Sequence, residues 1–158
     1  QQGSIFTPRV QGVRVGQELL MKNGDPFIHN VRSLSKKNRP FNIAQPQGSP
    51  DRKRFFDKPE GPITLKCDFH RWMEAHLWVM DHPFFAVTNT EGEFEIPDLP
   101  PGDYELVAWH EKLGQQIQNI SVQCSLLSSG QNGLQLCARV CCGLTFGAKS
   151  EKRATCRG

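Results

Sequence analysis

The chain has 158 residues, 37% of them hydrophobic, and a formal net charge of +3. This length allows one compact domain or two small ones, and the small charge, without interleaved aromatic and basic residues, argues against a nucleic-acid partner. No run approaches the roughly 18 consecutive apolar residues of a membrane span, and 14 glycines and 11 prolines without long helix-forming runs predict an all-β fold.

The first half of the chain alternates apolar and polar residues with a period of two, which is typical of strands. Val13, Val15 and Leu20 are predicted to lie on apolar faces. After the strand FIHNVRS, residues 32–54 are predicted to form a long polar connection. Strands resume with KRFFDKP, GPITLKC and LWVMDH, so the heptapeptide CDFHRWM at residues 67–73 is expected in a loop between two strands.

A second β pattern begins at Pro83 and predicts a meander of four short strands, FFAVTN, EFEIPDL, YELVAWHE and QIQNISV. Beyond Val122 the alternation fails, and we assign no fold to the remaining residues. Neither a disulfide framework nor a zinc module is predicted for the five cysteines there, because five is odd and two of them are adjacent. These cysteines are Cys124, Cys137, Cys141, Cys142 and Cys156.

The heptapeptide carries donors at Cys67, His70 and Met73, with the spacing Cys-x2-His-x2-Met. Copper that cycles between two oxidation states favours such a mixed set, because thiolate and thioether suit the cuprous ion and imidazole suits both states. Two His and one Cys with a weak axial Met form an electron-transfer centre, so one His is missing from the loop. His29, at a strand edge upstream, is the candidate. The structural alternatives are that Cys67 and Met73 only fill the core.

The pair His29-Asn30 followed by Cys-x2-His-x2-Met resembles the ligand pattern of cupredoxins, the superfamily of plastocyanin and azurin, and the short loop is similar to that of amicyanin. Over residues 6–122 the stretches DPFIHNV, PFNIAQP, LKCDFHRWM, DHPFFAVT and LPPGDYELVAWHEKLG resemble, in this order, bacterial exported proteins. Those proteins join a cupredoxin-like domain to a carboxypeptidase-regulatory-like, or transthyretin-like, β module.

The resemblance implies a Greek-key β-sandwich over residues 3–82, a carboxypeptidase-regulatory-like β module over residues 83–122, and a tail without assignable fold over residues 123–158. Members of the group usually have strands before the point where this chain starts. We therefore expect the sandwich to lack its first strand, and the edge left open to invite association with another chain.

The resemblance further implies one type 1 copper ion, with His29, Cys67 and His70 as equatorial ligands and Met73 as the axial ligand. His76 is the alternative axial ligand.

Two further residues belong to the predicted site. Asn30 is expected to tie the strand of His29 to the cysteine loop by hydrogen bonds. Trp72 is expected in an apolar rim around His70, where a partner would dock. Arg71 stands where amicyanin-type loops usually carry Pro, so the potential and the choice of partner are expected to differ.

The implied function is transfer of single electrons between redox partners, and not enzymatic catalysis, because four protein ligands leave no open position for a substrate. A periplasmic or otherwise exported location is implied, with the signal peptide already removed, since QQGSIFTP lacks a basic and then apolar pattern. The alternatives are a structural protein of envelope assembly and a cuprous copper chaperone.

Two other clusters of residues have possible functional roles. His82, His110 and Glu111 are expected to be structural, the alternative being a second metal site. Eight basic residues between residues 32 and 58 are expected to form a solvated face, the alternative being a surface that steers an acidic redox partner or binds anionic headgroups. They are Arg32, Lys36, Lys37, Arg39, Arg52, Lys53, Arg54 and Lys58.

Overall fold

Strands and no helices make up the part of the chain that the computed structural model describes, which is residues 1–123 and the backbone of residues 153–157. The predicted all-β fold is confirmed for these residues, and among them no helix is long and apolar enough to cross a membrane. In chain order the strands are β1 (Val10–Arg14), β2 (Leu19–Met21), β3 (His29–Ser33), β4 (Asn42–Gln45), β5 (Arg52–Arg54), β6 (Glu60–Lys66), β7 (Glu74–Met80), β8 (Phe85–Val87), β9 (Gly102–His110), β10 (Gly114–Val122) and β11 (Arg153–Arg157).

The first compact unit, Gln1–Pro83, is a β-sandwich with two unequal layers. One layer is a sheet in the order β1-β7-β6-β3-β4, in which β1 runs parallel to β7 and the other neighbours are antiparallel. The other layer is the pair β2 and β5, and buried Leu19 and Met21 of β2 pack into the core of the larger sheet. The other buried members of this core are Val13, Val31, Phe56, Ile63, Leu65, Ala75, Leu77 and Val79.

Strands β6 and β7 show how the sequence fixes the register of this sheet. Ile63 lies opposite Leu77, and Leu65 lies opposite Ala75, and all four side chains are buried. A slip of one residue would turn these side chains to the other face, and burying each large aliphatic side chain contributes roughly 1.5–3 kcal/mol. The register at the end of β6, where the cysteine loop begins, is therefore strongly fixed.

The second compact unit begins at Phe84 and contains a sheet in the order β10-β9-β11-β8. Strands β9 and β10 form an antiparallel hairpin, and β11 lies antiparallel between β9 and β8. Gly114 opens β10 with a φ of 76°, a conformation that glycine adopts without steric cost. The buried core consists of Ile96, Leu99, Leu106 and Val122.

The predicted faces of β1 and β2 are partly wrong. Val13 is buried as expected, but Val15 follows β1 and is 36% exposed, and Leu20 is 40% exposed while Leu19 and Met21 are buried. The chain turns at Gly16, where φ is 74°. A turn between two strands resets the phase of the alternation, so the pattern of β1 does not extend to β2.

The prediction of a long connection over residues 32–54 is also wrong. Strand β4 pairs with β3, and β5 pairs with β2. The strand predicted over KRFFDKP is present only at Lys53 and Arg54, and Phe56 is buried from a loop. All three residues of β5 are exposed, so this strand has no apolar alternation by which it could be recognised.

Of the four meander strands predicted within residues 83–122, the segment EFEIPDL is not a strand. Pro97 has no N–H for a ladder, and Asp98 has a φ of 56°, which is a left-handed turn conformation. Ile96 and Leu99 are nevertheless 0% and 1% exposed. Their burial from a loop accounts for the apolar pattern that predicted a strand.

The prediction that the tail over residues 123–158 has no fold falls largely on residues 124–152 and 158, which lie outside the described residues. The same holds for the side chains of the five tail cysteines.

Glu60, the first residue of β6, anchors the loop between β3 and β4. Burial raises the pKa of its carboxyl, but hydrogen bonds from the Ser35 hydroxyl, the Lys36 N–H and the Asn38 side chain outweigh it and lower the pKa to about 2. A carboxylate whose pKa is depressed on folding stabilises the fold above its unfolded pKa of about 4.5, and loses this contribution as the pH falls toward 2.

We therefore expect Glu60→Gln to lower the free energy of unfolding at neutral pH by on the order of 1 kcal/mol, since this carboxylate is partly solvated. The difference from wild type should shrink steadily between about pH 5 and pH 2. Urea unfolding across this range measures it. Ser35→Ala keeps the carboxylate and should give a smaller change in the same direction. A difference in unfolding free energy between Glu60→Gln and wild type that does not vary with pH would contradict the lowered pKa of Glu60.

Candidate metal site

A short loop joins β6 to β7 and carries three of the predicted donors. Cys67 directly follows β6, and Met73 directly precedes β7. The N–H of Cys67 donates to the carbonyl of Met73 (3.3 Å), and the N–H of Met73 donates to the carbonyl of His70 (3.0 Å). Cys67 and Met73 thus follow the last β6–β7 pair, Lys66 with Glu74, as an opposed pair at the base of the loop. Opposed residues of antiparallel strands place their side chains on the same face.

His29 opens β3, which is the neighbour of β6 in the larger sheet. Ser33 pairs with Leu65, so the same register places Val31 beside Cys67 and His29 one pleat further along that face. The side chain of His29 is 0% exposed, and that of Cys67 is 4% exposed. The imidazole and the thiol therefore meet inside the sandwich, and not at its surface.

The three side chains of His29, Cys67 and His70 form one compact group, with their donor atoms all within 4.8 Å of one another. The Cys67 Sγ lies 3.9 Å from His29 Nδ1 and 3.7 Å from His70 Nδ1. Bonds of about 2.3 Å to sulfur and about 2.0 Å to nitrogen, at angles between tetrahedral and trigonal, would separate sulfur and nitrogen by about 3.5–3.7 Å. The 3.7 Å distance to His70 falls within this range and the 3.9 Å distance to His29 exceeds it by about 0.2 Å, so the spacing is close to that of ligands around one first-row metal ion.

Met73 and His76 are the two candidates for the axial position. Met73 is 1% exposed and opposes Cys67 at the base of the loop. His76 pairs with Thr64 and lies an odd number of residues from Met73, so its side chain is on the other face of the sheet. His76 Nε2 lies 3.6 Å from Glu74 Oε1 and is not in the His-Cys-His group. The geometry therefore favours Met73 over His76.

Asn30 links β3 to the cysteine loop through the residue that follows the cysteine. Its Oδ1 accepts a hydrogen bond from the Asp68 N–H (2.7 Å), and its Nδ2 donates to Asp68 Oδ2 (2.9 Å). Asn42 Nδ2 donates to the same carboxylate oxygen (2.9 Å), and an Arg32 guanidinium nitrogen donates to the other (2.9 Å). Sequence reasoning singled out Asn30 but missed Asp68 and Asn42. The carboxylate directly after Cys67 could have indicated the hydrogen-bond partner of Asn30.

Asp25 is a second residue that the sequence analysis missed as part of the site, since it placed this residue only in a turn. Its Oδ2 lies 2.7 Å from His29 Nε2, the ring nitrogen opposite the one that faces the thiol. The Ser4 N–H, with smaller contributions from the Gly3 N–H and from His29, lowers the pKa of Asp25 to about 2, against burial, which raises it. The spacing of four residues between an acid and a histidine was the available sequence signal.

The rim around His70 is aromatic. The Trp72 ring lies 5.2 Å from the His70 ring, and Phe27 lies 5.7 Å from it. Trp72 is 66% exposed and Phe27 41% exposed, and Phe69 of the same loop is also exposed. His70 itself is partly exposed. An apolar surface therefore surrounds the one histidine of the group that reaches solvent.

Within the described residues, His82, His110 and Glu111 are not part of any group able to hold a metal ion. His110 Nδ1 accepts hydrogen bonds from the N–H groups of Lys112 and Leu113, both at 3.1 Å. This nitrogen therefore caps the turn after β9.

All eight basic residues predicted to form a solvated face are exposed. Arg32 pairs with Asp68 and Lys53 with Glu18, and the Arg54 guanidinium lies 5.4 Å from the centre of the Phe41 ring. Exposed pairs of this kind contribute little to stability. A role of this face in steering a partner stays a prediction.

No protein-family model and no curated protein matches this chain. Among solved structures, the chain is similar to a novel purple cupredoxin from Nitrosopumilus maritimus, at 22% sequence identity and a TM-score of 0.41. The similarity covers 50% of this chain and 85% of that one. The first unit is a β-sandwich and holds a His-Cys-His group, as the sequence analysis expects.

Proposed function

We propose that this chain is an exported mononuclear copper protein that carries single electrons between redox partners. Its ligands would be His29 Nδ1, Cys67 Sγ and His70 Nδ1, with the Met73 thioether as a weak axial ligand. The observation that carries the proposal is a buried thiol with two imidazole nitrogens, one from β3 and one from the loop between β6 and β7, at 3.9 and 3.7 Å. A copper ion held there would supply a one-electron couple.

The donor chemistry supports copper over harder metal ions. Thiolate and thioether sulfur favour soft ions, whereas magnesium, calcium and manganese favour carboxylate and carbonyl oxygen. The carboxylate of Asp25 contacts the far side of the His29 ring and is not in the His-Cys-His group. This set fits a protein that holds its metal and does not activate a substrate.

The surroundings support electron transfer because they restrain the ligands. His29 and Cys67 are buried, and Asn30 and Asp68 fix the start of the cysteine loop against β3. Little ligand movement between oxidation states favours rapid electron exchange. His70 lies within the exposed aromatic rim of Phe27 and Trp72 and would be the exit toward a partner.

We further propose the domain division over residues 3–82 and 83–122, with the second part a carboxypeptidase-regulatory-like module. An electron carrier of this kind would act in the periplasm or another exported location. Its partner would be a cytochrome or another redox protein.

The optical spectrum tests the proposed function. Cupric salt added to the purified protein should produce an intense visible thiolate-to-copper band that ascorbate bleaches. Cys67→Ser should abolish the band. His110→Ala should leave it unchanged, because His110 caps a turn of the second unit and is not in the His-Cys-His group. A colourless protein that retains cuprous ion would instead favour a chaperone, and a protein that binds no copper would favour a structural role.

A further inference from the structure

A turn at Gln1–Ile5 holds the carboxylate that contacts His29. Gln2 and Ile5 form a two-way backbone bridge, and Gly3 and Ser4 between them have φ angles of 63° and 56°, as in a type I′ turn. The N–H groups of these two central residues point to Asp25, at 2.7 Å from Oδ1 and 2.9 Å from Oδ2. Successive N–H groups arranged in this way form a small anion-binding concavity.

The held carboxylate in turn faces one nitrogen of a fully buried ring. His29 Nε2 lies 2.7 Å from Asp25 Oδ2, and His29 Nδ1 faces the Cys67 sulfur at 3.9 Å. Both oxygens of Asp25 already accept backbone N–H groups, Oδ1 from Gly3 and Oδ2 from Ser4, so the carboxyl group acts here as an acceptor and the ring nitrogen beside it carries the proton. In the neutral ring, the other nitrogen then has its lone pair directed toward the thiol.

We propose that Asp25 is a positioning residue, which the Gln1–Ile5 turn holds in place and which fixes His29 as the Nε2–H tautomer before any metal binds. Metal-binding histidines commonly donate their second N–H to a carboxylate, which fixes the tautomer and the ring orientation. The tautomer itself does not depend on the proposed function. Its consequence does rest on that function: Nδ1 is ready to bind the ion without a proton transfer or a rotation of the ring.

The same turn also contacts Trp72, which lies beside His70. The Ser4 carbonyl accepts a hydrogen bond from Trp72 Nε1 (3.0 Å), and the Trp72 ring packs beside His70. The turn therefore links the element that carries the buried ligand to the rim around the exposed one.

Nuclear magnetic resonance of the metal-free, nitrogen-15-labelled protein tests the proposal. Long-range proton–nitrogen correlations at about pH 8, above the ordinary histidine pKa of about 6.5, report which ring nitrogen carries the proton. For His29 we expect a protonated Nε2 and an unprotonated Nδ1 in wild type. A proton on Nδ1, or on both nitrogens, would overturn the proposal, and this result does not depend on any variant folding.

Variants add a second readout. Asp25→Leu should shift His29 toward the Nδ1–H tautomer and lower cupric affinity by about 10- to 100-fold. Asp25→Asn keeps an acceptor oxygen and should have a smaller effect on the tautomer. Asp51→Asn is the matched control, because Asp51 pairs with Lys22 at the exposed surface, and it should leave both readouts unchanged. An unchanged tautomer in a folded Asp25→Leu variant would also contradict the proposal.

The two proposals fail in different ways. If the tautomer is as expected but cupric salt gives no thiolate band, the positioning role stands and the copper function falls. If the band forms while the metal-free His29 carries its proton on Nδ1, the copper function stands and the role of Asp25 falls.

Discussion

Exogenous imidazole should restore the visible copper band in His70→Gly but not in His29→Gly. Either substitution removes a proposed ligand, and we expect each to lower cupric affinity by more than the roughly 10- to 100-fold that is typical of losing a supporting contact. The two sites differ in access. His70 is partly exposed beside Phe27 and Trp72, whereas the His29 ring is 0% exposed and is enclosed by Asp25 and Cys67.

The measurement is a titration of each cupric variant with imidazole, followed at the wavelength of the wild-type band. His110→Gly serves as the control for loss of a histidine outside the group, and its band should match that of wild type. Equal recovery of the copper band in His70→Gly and His29→Gly would show that the burial of His29 does not keep imidazole out of its position. Recovery in His29→Gly alone would show that His29, and not His70, is the ligand position that imidazole can reach.

Gly61→Ala should destabilise the first unit by about 1–3 kcal/mol, because an added Cβ would overlap the buried indole of Trp78. A Cβ built at Gly61 would lie 2.3 Å from Trp78 Cε3 and 2.4 Å from Cδ2. Trp78 is 6% exposed, so its ring has little room to move. Gly61 and Trp78 lie on β6 and β7, the two strands that position the ends of the cysteine loop. The copper band should therefore weaken or broaden as well.

A double-mutant cycle on urea unfolding separates this overlap from a general preference for glycine. With Trp78→Ala in the background, Gly61→Ala should lose most of its cost, since the overlapping ring is gone. Gly24→Ala is the matched control, because its Cβ would meet nothing nearer than the Gln1 carbonyl oxygen at 3.5 Å. A Gly61→Ala cost that persists without the indole would refute the packing explanation.

Strand prediction succeeded where alternation coincided with a buried face, as in β6, and where an apolar run is buried on both faces, as in β7. It failed where that link was broken. Strand β5 is fully exposed and has no apolar face, so only its pairing with β2 makes it a strand. Ile96 and Leu99 are buried without being in a strand, because Pro97 and the turn at Asp98 prevent a ladder.

The candidate site shows the same division. The spacing of Cys67, His70 and Met73 specifies the donors and a single loop, and the structure places the upstream His29 beside the thiol. Asp25 lies in an Asn-Gly-Asp-Pro turn, where a carboxylate is ordinarily a turn former, so its four-residue spacing from His29 was its one sequence signal. Its role depends on the backbone of Gly3 and Ser4, which are distant in sequence.

The sequence by itself determined the chemical softness of the donors and the length of the loop that carries them, because these depend only on residue type and spacing. The tertiary structure decided which nitrogen of His29 faces the sulfur and that His76 lies on the opposite face of the sheet from the site. It also decided that, of His29, Cys67 and His70, only His70 reaches solvent. Strand register, sheet face and contacts between distant segments fix these properties, and none of them is encoded in a short window of the chain.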